Sequence, residues 1–227
     1  LSGIVGFGSS LMLMPVLVLA FGPVEAVPIM TIAAILANLG RILAWWREVD
    51  WRACAAYAAT GAPCAALGAL TLLALPARII EAALGAFFLA MVPVRRALAA
   101  RALALRPAHL AGAGVPIGYL TGIAVSTGPI TAPLFLAAGL AKGAFLGTEA
   151  AATLAVYLAK AAVFRGFGAL PLDILLKGLA TGSTLTAGAF LARRFVIRMS
   201  AERFRRVMEA LMLVSGTVLL AAAAFGE

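Results

Sequence analysis

Gly118–Leu140, GYLTGIAVSTGPITAPLFLAAGL, decides how this chain is read. It is apolar enough for hydrocarbon, yet Gly128, Pro129, Pro133 and the hydroxyls of Ser126, Thr127 and Thr131 interrupt it. Proline lacks an N–H and its ring collides with the carbonyl four residues back, so the spacing predicts a helix broken at Gly128–Pro129. In lipid such a break is tolerated only where protein or a water-filled cavity satisfies the freed backbone groups. The second half-helix would start near Thr127–Ile130, with free N–H groups and a positive dipole end, a natural seat for an anion. The head of the chain, Leu1–Phe21, repeats the pattern with Gly6, Gly8, Ser9 and Ser10 ahead of Pro15. Two Gly-rich, Pro-broken apolar segments in matching places of two halves point to a transporter site.

The rest of the chain is equally apolar. Of 227 residues, 64% are hydrophobic and 12% charged, with a mean hydropathy of +1.08. A soluble domain is roughly half apolar and about a quarter charged, so the composition defines a polytopic all-α membrane protein. The first residue is a leucine inside an apolar segment, so the true start is expected upstream, and no signal peptide is read either way. The net charge of +9 sits in short basic runs between apolar segments. That is the positive-inside pattern and argues against nucleic acid as a partner. Cys54 and Cys64 are about 15 Å apart along a helix, beyond disulfide reach. The lone His109 has no metal-ligand companion at a telling spacing and is expected in a solvated loop. With no Ser/His/Asp set, HExxH, phosphate loop or Cys/His cluster, neither an enzyme nor a metal or other cofactor is expected.

Segments of about 20 residues, the length needed to span a bilayer, follow one another. Val24–Trp46 carries Thr31, Asn38 and Arg41, and Trp45, Trp46 and Trp51 form an interfacial belt around the loop that follows. Ala53–Leu75 is Ala- and Gly-rich, and Ala77–Val94 leads to the basic run Arg95–Arg106. The second half restarts at Ala108–Leu140. Ala144–Phe167 then carries Glu149, Thr153, Tyr157 and Lys160, and Leu170–Phe195, the basic run Arg193–Arg206 and Val207–Phe225 close the chain. Pro15 matches Pro133, Thr31 matches Thr148 and Gly61 matches Gly182, at offsets of 117 to 121 residues. This predicts a duplication into repeats 1–107 and 108–227 within one membrane domain.

Both basic runs should lie on the cytoplasmic side. Three whole crossings between them would separate them, so one element must turn back. The 33 residues from Ala108 would make a helix of about 50 Å, far beyond the roughly 30 Å hydrocarbon core. A re-entrant hairpin there gives each half three crossings plus one Pro/Gly-broken segment, and the halves become inverted. Lys160, Arg165 and Lys177 then form a net-basic loop on the outer side, against the charge rule.

The twice-repeated order of Gly-rich hydroxyl segment, proline, short Gly turn and Thr-bearing helix resembles the sulfite exporter TauE/SafE family, also called TSUP. Trp46-Arg-Glu-Val-Asp-Trp51 before a Gly-rich helix is similar to that family's aromatic-x-x-Gly-x-Val-Asp-Trp junction. The resemblance covers essentially the whole chain and implies an inner-membrane carrier of sulfite, sulfonates or related sulfur oxyanions. The chain departs from the pattern at Gly8-Ser9-Ser10 and Ser126-Thr127-Gly128, where a Gly-Gly-Gly run is expected, and at Thr31-Ile32 and Thr148-Glu149, where a Thr-Ser pair is expected.

A sulfur oxyanion needs several donors: hydroxyls, helix-start N–H groups and a cation. Ser9, Ser10, Ser126, Thr127, Gly128 and Thr131 are the first candidates, joined by the matched Thr31 and Thr148. Arg41 and Lys160 hold corresponding depths and are expected in the site, with snorkelling to the interface as the alternative. Glu149 is a candidate for proton coupling, against the plainer reading of an acid favoured at a helix N-terminus. The expected partners are the small anion, the lipid bilayer, a coupling H+ and a second copy of the chain. The competing reading is a membrane scaffold or assembly factor that moves no solute.

Overall fold

The computed structural model describes residues 2–100, 105–124, 127–196 and 201–225; within these, the side chains of residues 2–12, 95, 98–100, 107, 188–196, 201, 203–205, 208 and 225 lie outside what it describes. Among the described residues there is no strand. Eight α-helices follow in order: α1 Ser2–Trp45, α2 Trp51–Ala74, α3 Ala77–Ala100, α4 Pro107–Ile123, α5 Gly128–Ala137, α6 Lys142–Gly166, α7 Leu172–Val196 and α8 Ala201–Phe225. Among the described residues four stretches are long and apolar enough to cross a membrane: Leu13–Glu48, Trp51–Ala74, Ala77–Val94 and Lys142–Gly166.

α1 is two helical limbs joined at Gly22, whose φ of 75° and ψ of 162° suit only glycine. Pro23 then starts the second limb, where its missing N–H costs nothing. The expected break at Ser9–Pro15 is not there: helix runs unbroken from Ser2 through Pro15 to the bend. Pro15 removes one backbone bond, whereas opening the chain in apolar surroundings would expose several groups.

The second half does break. α4 ends at Ile123, Ala124 is extended, and α5 starts at Gly128 with Pro129 in its first turn. The chain then returns towards where it came from: the Leu105 amide donates to the Ala137 carbonyl at 2.8 Å, and the Thr121 and Thr127 hydroxyls lie 2.7 Å apart. α4 and α5 therefore form a helical hairpin. His109 is not in a loop but in the first turn of α4, where its Nδ1 accepts the Arg106 amide at 2.9 Å. Cys54 and Cys64 are unbridged.

Glycine sets how closely the helices approach. A Cβ on Gly118 would overlap the Gly61 carbonyl, and one on Gly68 would overlap the Tyr119 carbonyl, so the backbones of α2 and α4 touch. Residue numbers rise together along this seam, so the two helices are parallel. Gly178 against Ile29 and Ile32, and Gly182 against Ala33 and Leu36, seat α7 parallel to the second limb of α1 in the same way. α3 and α8 are antiparallel: Arg78 Nε donates to the Ala223 carbonyl at 2.6 Å at one end, and Arg96 pairs with Glu209 at the other. The second limb of α1 is likewise antiparallel to α6, and α2 also packs on α6.

Candidate functional site

α6 is the axis of the site. It buries Thr148, Glu149, Thr153, Tyr157 and Lys160 against α1, α2 and the α4–α5 hairpin. Its polar side chains meet their partners in two layers.

The first layer is built on Glu149. One carboxylate oxygen accepts from Arg41 Nη1 at 2.8 Å and the other from the Thr131 hydroxyl at 3.0 Å. Asn38 lies under Arg41, accepting from its second guanidinium nitrogen, and donates to the Thr153 hydroxyl at 3.2 Å. Thr153 in turn donates to the Glu149 carbonyl at 2.7 Å. The Glu149 and Arg41 side chains are 2% and 21% exposed, so this ion pair is largely shielded from solvent. It ties α1, α5 and α6 together across 108 residues of chain. Glu149 lies two turns inside α6 and not in its first turn, so the helix-dipole reading of this acid does not apply.

The second layer is built on Lys160, which is fully buried. Its ammonium donates to the Thr121 carbonyl at 2.8 Å and the Ala124 carbonyl at 3.3 Å. These carbonyls end α4, where unpaired acceptors and the negative end of the helix dipole favour a cation. Thr121 donates to the Ile117 carbonyl at 2.6 Å, so it is Thr127 that donates across the break to Thr121. Thr127 is the N-cap residue of α5, but its side chain caps no amide there. Of the first amides of α5, those of Ile130 and Thr131 donate to the Thr127 carbonyl at 2.9 and 3.0 Å and Pro129 has no N–H, which leaves the Gly128 amide at the break. Lys160 is fully buried, whereas Arg41, partly exposed, turns its guanidinium to Glu149 and Asn38.

Of the remaining candidates, Thr31 is buried and bonds back to the Val27 carbonyl at 2.8 Å. Thr148 accepts the Asp50 amide at 2.8 Å and anchors the start of α2. Neither belongs to the two layers. Ser9 and Ser10 lie on the unbroken limb of α1, with side chains outside the described set, and Ser126 lies outside the described residues. Asn38, Thr121 and Tyr57 were not foreseen as site residues. Asn38 carried a signal, standing one turn before Arg41, whereas Thr121 and Tyr57 become visible only when α4 and α2 are packed on α6. Among the described residues no group of His, Cys, Asp and Glu is arranged to hold a metal ion.

Long apolar helices packed through glycine seams around buried, paired charges define a multi-pass membrane protein. The chain belongs to the sulfite exporter TauE/SafE family, whose family model matches residues 1–219. Members of this family are transporters, not enzymes. Comparison with curated proteins and with solved structures finds no match.

Proposed function

We propose that the chain is a secondary transporter of a small sulfur oxyanion, sulfite or an organosulfonate, in a bacterial inner membrane. The anion binds where α4 breaks from α5. The observation that carries this reading is Lys160, a fully buried amine that donates to the carbonyls ending α4, where the Thr121 and Thr127 hydroxyls meet across the break. Two of its three donors go to α4 carbonyls. The third, together with the Gly128 amide and a Thr127 hydroxyl turned away from Thr121, gives a pyramidal oxyanion a donor for each oxygen.

Glu149 supplies a route for coupling to H+. A proton on its carboxylate would discharge the pair with Arg41 and free Thr131, loosening α5 from α1 and α6 on the side of the hairpin away from Lys160.

The inverted-repeat reading, with repeats 1–107 and 108–227, has structural support. The second limb of α1 crosses α6 antiparallel, α3 crosses α8 antiparallel, and the α2–α6 and α1–α7 packings are both parallel. Gly22 and Gly139, 117 residues apart, both hold positive φ just before the matched helices. A re-entrant α4–α5 hairpin also brings the runs Arg95–Arg106 and Arg193–Arg206 to one side. Of the three basic residues that opposed this arrangement, Lys160 is internal, Lys177 pairs with Glu25 at 2.9 Å and Asp173 at 3.6 Å, and Arg165 donates to the Leu170 carbonyl at 3.3 Å.

Labelled-sulfite flux in proteoliposomes tests the function. The reading requires flux above that of empty liposomes. No flux for any sulfur oxyanion, with another membrane protein co-purifying stably, would favour a scaffold instead.

A further inference from the structure

Tyr57, on α2, is fully buried, and its hydroxyl makes no hydrogen bond among the described residues. Its ring lies 5.4 Å from that of Phe135 on α5, tilted by 59°. α2 and α6 run side by side, with Asp50 bonded to Thr148 and Gly61 against Val156. Tyr57 therefore falls between those two levels, with the Glu149 layer on one side and Lys160 on the other. Glu149 and Tyr157 are its electrostatic neighbours.

A buried hydroxyl without a partner destabilises the protein that carries it, and phenylalanine would fill the same volume at no such cost. Glu149 is the obvious acceptor nearby, yet its carboxylate accepts from Arg41 and Thr131 and not from Tyr57. We infer that the Tyr57 hydroxyl donates to the transported oxyanion, at a position between the Arg41–Glu149 pair and Lys160. This rests on the transport reading given above. A hydroxyl is a donor that adds no charge, so it suits an anion whose charge Lys160 already offsets. It also gives the site a contact from α2, making the ligand touch α2, α5 and α6 at once.

The test is a sulfite titration of purified wild type and Tyr57→Phe, each followed by thermal unfolding and by binding of labelled sulfite. Tyr57→Phe should unfold at the same temperature as wild type or higher, and bind sulfite about tenfold or more weakly. Equal sulfite affinity in the two proteins would overturn the inference and leave the transport reading standing. A large fall in unfolding temperature without sulfite would also overturn it, because the hydroxyl would then have a partner inside the protein. If wild type itself gains no stability from sulfite, taurine or sulfoacetate, the transport reading fails, and this inference fails with it.

Discussion

Glu149 and Arg41 illustrate what a shielded charge demands of its surroundings. Each is the other's counter-charge, and removing one partner leaves the second charge shielded from solvent and without it. Glu149→Gln should therefore destabilise the protein by about 3–5 kcal/mol. Arg41→Met combined with Glu149→Leu should recover most of that loss, because apolar side chains of similar size need no partner. Thermal unfolding in detergent checks both. A double variant as unstable as the single one would show that the pair does more than balance charge. Arg41, Lys160 and Glu149 stood out in the sequence as candidates, since intramembrane charge is rare and costly. Their partners were not legible: eleven residues separate Glu149 from Lys160, and nothing in that spacing says that one meets α1 and the other the end of α4.

At the scale of elements, the glycines on α2 and α4 decide how near two backbones come. Gly118→Ala should cost about 1–3 kcal/mol, because the new Cβ meets the Gly61 backbone, which cannot move without opening the seam. Gly112→Ala on the same helix meets nothing within 4 Å and should stabilise by about 0.5–1 kcal/mol. The difference between these two unfolding temperatures isolates the seam from helix propensity, and equal effects would contradict it. Breaks in the elements were half legible. Gly128-Pro129 stopped a helix as their chemistry dictates, with Lys160 and Thr127 ready to satisfy the loose ends. At Pro15 the helix continues through to Gly22. Proline content by itself does not mark a break; a nearby group able to satisfy the freed carbonyls is also needed.

For the whole molecule, the α4–α5 hairpin fixes which ends lie together. With Cys54 and Cys64 replaced by alanine, Ala108→Cys and Ala141→Cys should react with an impermeant thiol reagent from the same side of the membrane. Phe167→Cys should react only from the other. Labelling of the first two from opposite sides would mean that the hairpin crosses. The all-helical, multi-pass class was readable from hydropathy, because a bilayer demands long apolar helices. Helix neighbours were not, because apolar faces in lipid pack by small-residue contact and not by hydrophobic contrast.

The central claim is that one buried ammonium, at the break between α4 and α5, holds the transported anion. Labelled-sulfite flux through Lys160→Met in proteoliposomes tests it most directly, with folding verified by thermal unfolding. Flux at the level of empty liposomes from a folded variant, beside active wild type, is the predicted result. Wild-type flux through Lys160→Met would contradict the claim.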